Sequence, residues 1–269
     1  MNLQDKNALV TGAAGGIGQA VAVELARHGA HLSLVDINES GLEETLKQVE
    51  ALGGRSVTIR ADVADKGQVQ HAVEAAIKEY GHLDLLVNNA GVTLIGEVGD
   101  YTIEDWEWIV GINLWGAIYG LHYVLPHMIE RRSGHIVNVA SAAGLISMPG
   151  NAAYCATKFG IVGLSEALQA ELVRHNIGVT VICPAGIVTE FEKNARVKGW
   201  SKFKPGNFVK SYGRTPEGVA KKIVSAIEKE KFLVIIGAEA RLLYAIKRFF
   251  PRLYYRIGVI MARRLEHFR

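Results

Sequence analysis

With 269 residues, 49% of them hydrophobic and 21% charged, the chain is long enough for a large α/β sheet and too apolar to be disordered. The net charge of +3 is unevenly placed: Arg241 to Arg269 holds eight Lys/Arg against Glu266, so this tail carries +7 and residues 1–240 carry −4, which argues against a nucleic-acid-binding body. Two cysteines, Cys155 and Cys183, supply neither a disulfide framework nor a metal-ligand spacing, and they fit a reducing cytoplasm.

The first ten residues lack the apolar run of a secretory signal. No stretch reads as the ~20 apolar residues of a membrane span. Hydrophobic periodicity predicts strands over 8–11, 31–36, 56–60 and 83–88, with helices over 16–28, 40–52 and 67–80 between them. A long helical region follows over 102–130, then a strand over 135–140 and a helix over 152–175. Strands over 178–182 and 232–236 flank a helix over 216–229. Strand and helix alternating at this pitch predict a doubly wound Rossmann-type sheet of seven mostly parallel strands, with helices on both faces. The expected organisation is one domain over 1–269, with a core over 6–237 and an amphipathic helical tail over 238–269. The stretch 189–215 is too long for an ordinary connection, and such loops are usually functional.

The first strand runs into Thr11-Gly12-Ala13-Ala14-Gly15-Gly16-Ile17-Gly18. Glycines there let backbone approach a pyrophosphate at a helix N-terminus, although the spacing of Gly12, Gly16 and Gly18 differs from GxGxxG. Asp36 ends the second strand, where a carboxylate accepts hydrogen bonds from adenosine ribose hydroxyls and repels a 2′-phosphate. No Lys or Arg lies in the glycine loop or directly after Asp36, so NAD is favoured over NADP. The alternative for Asp36 is a helix-capping acid before Asn38. Asp62 and Val63 fit contacts to an adenine ring. Asn88 and Asn89 suit the bracing of strand ends, and the small Ala90-Gly91 pair leaves room for a flat cofactor.

Tyr154 and Lys158 are one helical turn apart on the same face, and Ser141 follows a strand end. That set suits a proton relay beside a hydride acceptor. A tyrosine titrating near ~10 is a weak base, and lowering it by about two to three units takes roughly 3–4 kcal/mol, for which the Lys158 ammonium and a positive nicotinamide ring are the expected source. Tyr154 then moves the substrate proton, Ser141 holds the substrate oxygen, and Lys158 also grips the nicotinamide ribose.

Taken together, these motifs resemble those of the short-chain dehydrogenase/reductase family over about 6–237. The resemblance implies an oxidoreductase acting on CH–OH groups with a nicotinamide cofactor; no metal site is expected. Asn113 matches the family's fourth catalytic position, an asparagine that holds a water linking the lysine to solvent. Pro184, Gly186, Ile187 and Thr189 fall on its cofactor-binding motif after the sixth strand. Ala185 departs from the usual Pro-Gly there and puts the local backbone in doubt. The family is commonly dimeric or tetrameric.

The substrate is less legible. Thr93–Ile95, Ala142–Met148 and the loop after Thr189 are the expected pocket walls. Leu145, Ile146, Met148 and Phe191 favour a lipophilic secondary alcohol or ketone, sterol-, retinoid- or fatty-like. Basic residues including Lys193, Arg196, Lys198 and Lys204 leave open an acyl-carrier thioester substrate. A non-catalytic nucleotide sensor on the same fold is disfavoured by the complete catalytic set. The apolar, basic tail, broken at Pro251, suits packing over the cleft or between subunits; peripheral contact with a membrane is the other reading.

Overall fold

The computed structural model describes residues 1–187, 195–200, 202 and 214–265. The chain opens with β1 (Asn7–Thr11), α1 (Gly16–Arg27), β2 (His31–Asp36), α2 (Glu39–Glu50), β3 (Ser56–Arg60), α3 (Lys66–Tyr80) and β4 (Leu85–Asn88). A two-residue strand, β5 (Leu94–Ile95), precedes α4 (Ile103–Val110), a π turn at Gly111–Trp115 and α5 (Gly116–Arg131). Next come β6 (Gly134–Val139), α6 (Ala152–Leu172), β7 (Ile177–Pro184) and β8 (Arg196–Val197). The last elements are α7 (Pro216–Glu228), β9 (Leu233–Ile236), α8 (Ala238–Phe249) and α9 (Pro251–Leu265).

Seven strands form one sheet in the order β3-β2-β1-β4-β6-β7-β9, with every pairing parallel. Alternate side chains leave each strand on opposite faces. In β1, Val10 packs into the layer that contains Val21 and Leu25 of α1 and Ile223 of α7. Its neighbour Leu9 packs into the opposite layer, with Leu121, Val124 and Met128 of α5. Because both faces are covered, the central strands β1, β4 and β6 are buried along their length, which made them legible.

The helix starts carry their own signals. Asp65 accepts from the Gly67 and Gln68 N–H groups, Thr102 and Asp105 form a capping box, and Thr215 caps α7 before Pro216. By contrast, α1 starts at Gly15 without a capping side chain and has no acid in its first turn.

The run Ile103–Arg131 is 29 residues long, and its most apolar window averages 1.3 in hydropathy, enough by length and composition to cross a bilayer. The run corrects the expectation that no stretch is apolar enough for a membrane span. Leu121, Val124 and Met128 of this run are buried against the sheet, so part of its apolarity serves the core, while Ile103 and Trp115 are exposed. The β5–β8 ribbon, also unforeseen, pins part of the long post-β7 segment beside Leu94.

Candidate active site

The strand order reverses between β1 and β4, and a crevice at the C-terminal strand ends collects the predicted residues. Gly12 and Gly16 hold φ of 68° and 55°, a region costly for other residues. A Cβ on Gly12 would lie 2.8 Å from Asn89 Nδ2 and 2.9 Å from Ala90 Cα, and one on Gly18 would collide with the Gly12 carbonyl. Asn89 Nδ2 donates to the Thr11 carbonyl at 3.0 Å and the Gly12 carbonyl at 3.2 Å. The Thr11 hydroxyl accepts from the Asn89 and Ala90 N–H groups at 3.0 and 3.1 Å. Thr11 therefore braces the floor of the crevice. In the sequence Thr11 stands only as the first residue of the glycine motif, and a threonine at a strand end carries no further signal.

Asp36 Oδ2 accepts from the Ala14 N–H at 3.1 Å and Oδ1 from the Asn38 N–H at 3.0 Å. Asn38, rather than Asp36, caps α2 through its side chain. The carboxylate thus stands against the glycine loop. Asp62 Oδ1 accepts from the Ala64 N–H at 2.9 Å, and Val63 is buried against Gly116. The bare start of α1, the glycine turn closed to any Cβ and the Asp36 carboxylate fit a dinucleotide: free N–H groups for the pyrophosphate and an acceptor for the ribose.

On the far side of the crevice, Asn88 Nδ2 donates to Asn138 Oδ1 at 2.9 Å, and Asn138 Nδ2 donates to Ser165 Oγ at 3.0 Å. This buried chain ties β4 to β6 and α6, the bracing role expected of Asn88. Gly186 takes φ of 53° and Ala185 has no positive φ, so the extra alanine after Pro184 leaves the turn unstrained. Ile187 bridges Arg214, whose guanidinium donates to the Ala185 carbonyl and pairs with Glu239. Thr189 and Phe191 lie outside the described residues.

Ser141, just past β6, accepts from the Ala143 N–H at 3.1 Å and hydrogen-bonds Tyr154. Lys158 Nζ donates to the Val139 carbonyl at 2.9 Å and lies 5.7 Å from the centroid of the Tyr154 ring. The π turn places Asn113 over the loop after β4, where its side chain donates to the Val92 carbonyl at 2.9 Å and Thr157 Oγ1 at 3.2 Å, and accepts from the Val92 N–H at 2.7 Å. Asn88, Asn113, Ile112 and Lys158 line a cavity of about 10 Å³, the room one water needs.

The electrostatics differ from expectation in one respect. Burial pushes the Tyr154 phenol up to about 12, against the downward pull of its Ser141 hydrogen bond. Burial also brings Lys158 down to about 8. The protein alone therefore holds Tyr154 as a phenol, because burial outweighs the Ser141 hydrogen bond. Cys183, fully buried and bonded to the Ser141 backbone, is likewise pushed up to about 12 by burial and stays a neutral thiol beside the site.

Two expected pocket walls turn inward. Leu145 packs with Ala140, Ile161 and Val162, and Ile146 packs with Ala240 and Tyr254 of the tail. The Tyr154 ring instead sits among Leu94, Ala143 and Ala153. Trp200 lies buried against Gly150, an approach the sequence did not signal. Among the loop cations, Lys198 pairs with Asp105 at 2.9 Å, and Arg196 pairs with the same carboxylate at 3.6 Å while covering the Trp108 ring. Both are structural. Lys193 and Lys204 lie outside the described residues.

Residues 6–199 match the family model described as short chain dehydrogenase. The chain is 35% identical over 263 residues to the putative oxidoreductase SadH of Mycobacterium tuberculosis, covering 95% of each chain. It is 34% identical over 249 residues to the 3-oxoacyl-acyl-carrier-protein reductase FabG of Thermotoga maritima, covering 90% of this chain and 99% of that protein. The crystal structure of a short chain dehydrogenase/reductase from Burkholderia phymatum in complex with NAD superposes with a TM-score of 0.87 at 29% identity, covering 94% of this chain and 96% of that one.

Proposed function

The chain belongs to the short-chain dehydrogenase family, and from that premise we propose that it moves a hydride between NAD and a lipophilic secondary alcohol or ketone, with Asn113, Ser141, Tyr154 and Lys158 as its working set. The family makes it an oxidoreductase acting on CH–OH groups with a nicotinamide cofactor. The observation that carries the finer reading is the Tyr154 hydroxyl, bonded to Ser141 and set among apolar side chains with Lys158 beneath.

Bound NAD supplies the hydride acceptor and a positive charge in the crevice. The chain's own residues do the rest. Ser141 Oγ holds the substrate oxygen against the Tyr154 hydroxyl. Tyr154 gives that oxygen its proton in reduction and takes it in oxidation. Lys158, fixed on the Val139 carbonyl, stabilises negative charge on the phenol oxygen when it carries its proton. Asn113 spends its side chain on Val92 and Thr157, so it acts as a positioning residue for the turn beneath the site. Asp36 favours NAD, because a 2′-phosphate would meet its carboxylate. Gly12, Gly16, Ile17, Gly18, Asp62, Val63, Asn89, Ala90, Gly91, Pro184, Gly186, Ile187 and Thr189 complete the proposed cofactor contacts, together with Tyr154 and Lys158. A homodimer or homotetramer is part of the proposal, supported by the exposed Trp115 stacked on Tyr119 at 5.5 Å.

The test is turnover of a panel of secondary alcohols and 3-hydroxyacyl thioesters with NAD. Lipophilic alcohols are expected to turn over well ahead of short polar ones. Turnover of thioesters alone would replace this reading with an acyl-carrier substrate.

A further inference from the structure

The tail forms a two-helix corner with two distinct faces. One face is locked to the body. Tyr254 Oη donates to the Ser147 carbonyl at 2.8 Å, and Lys247 Nζ donates to the Leu145 carbonyl at 2.7 Å while lying 4.3 Å from the Phe159 ring centroid. Tyr254 and Ala240 are buried with Ile146. This anchoring fixes which side of the corner looks outward.

The outward side is apolar at its tip. Phe249 is 71% exposed, Phe250 64% and Leu253 50%, and Leu242 and Ile260 continue the surface along each helix. Pro251 opens α9 directly after Phe250 and holds the turn in place. Arg248, Arg252, Arg256, Arg263 and Arg264 are exposed along the corner, Arg241 is exposed but donates its Nε to the Ile235 carbonyl, and no Asp or Glu occurs from Ala240 to Leu265.

We propose that this corner is a docking surface for an anionic lipid bilayer. Phe249, Phe250 and Leu253 enter the boundary between headgroups and acyl chains, and the flanking arginines meet the lipid phosphates. Charge decides the occupant. A second copy meeting this face about a two-fold axis would bring arginines against arginines, with no Asp or Glu between Ala240 and Leu265 to offset them. A bilayer carrying negative headgroups offers the complementary charge and an apolar layer for the aromatic tip at once. The contact is peripheral, since α8 and α9 are 12 and 15 residues long and are held to the protein along one side. The proposal stands apart from the substrate reading, although the same corner grips the Leu145–Ser147 segment that follows Ser141.

The experiment is co-sedimentation of the full-length protein with phosphatidylcholine vesicles made with and without phosphatidylglycerol, at low and physiological salt. Binding is expected only to the vesicles containing phosphatidylglycerol, and it should weaken by about tenfold or more as salt screens the arginines. The triple variant Phe249→Ser, Phe250→Ser, Leu253→Ser should lose about tenfold or more of that binding while NADH binding stays unchanged, which shows the fold is intact. Three results would overturn the proposal: no binding to phosphatidylglycerol vesicles at low salt, binding unaltered in the triple variant, or dissociation of an oligomer by that variant in size-exclusion chromatography.

Discussion

Tyr154→Phe is expected to lower turnover by about 10³-fold while leaving NADH affinity within about twofold. The ring stays, so its packing among Leu94, Ala143 and Ala153 is kept. Only the hydroxyl is lost, and with it the group that bonds Ser141 and carries the substrate proton. The size of the loss follows from the role. General acid–base groups contribute about 10²- to 10⁴-fold, and neither neighbour replaces the phenol: Lys158, though burial brings it down to about 8, is committed to the Val139 carbonyl, and Cys183 is pushed up to about 12 by burial. Steady-state kinetics with the best alcohol of the panel, beside an NADH titration, separates chemistry from binding. Unchanged turnover removes Tyr154 from the mechanism.

Asp36→Ala is expected to weaken NADH binding by about a hundredfold and NADPH binding by less than about tenfold. Two ribose hydroxyls donating to a carboxylate contribute about 1.5–3 kcal/mol each, and part of that remains as water replaces the side chain. The variant also removes the acceptor for the Ala14 and Asn38 N–H groups, which loosens the glycine loop for both nucleotides alike. The difference between the two losses is therefore the diagnostic quantity. Equal losses would mean that Asp36 only braces the loop. Asp36→Asn, which keeps one acceptor for the loop but not the negative charge, should relax the preference against NADPH with a smaller loss of NADH affinity.

Much of this was legible from residue order. β2 falls on its expected boundaries because both of its faces are buried and the chain must be apolar there, whereas the edge strand β3 is marked by the alternation of Val57 and Ile59 with Ser56, Thr58 and Arg60. Ser141, Tyr154, Lys158 and Asn113 converge as expected, since strand ends and one helical turn are fixed geometries. What escaped depends on distance in sequence or on small departures from periodicity. The π turn at Gly111–Trp115 inserts into a helix without breaking its apolar pattern. Two-residue strands such as β5 and β8 are too short to show alternation. Leu145 and Ile146 are apolar whether they face a pocket or a core, and only the fold sends them inward. The rise of Tyr154 to about 12 reflects burial, which residue spacing does not encode. The tail's amphipathicity was visible, but only the Tyr254 and Lys247 anchors show which face is spent on the body.

Titration of the unmodified protein with NADH and with NADPH, followed by nucleotide fluorescence, tests the central claim most directly. Saturation with NADH is expected at a concentration at least about tenfold below that for NADPH, the bias a carboxylate at the ribose imposes. Failure of both nucleotides to bind, or tighter binding of NADPH, would contradict it.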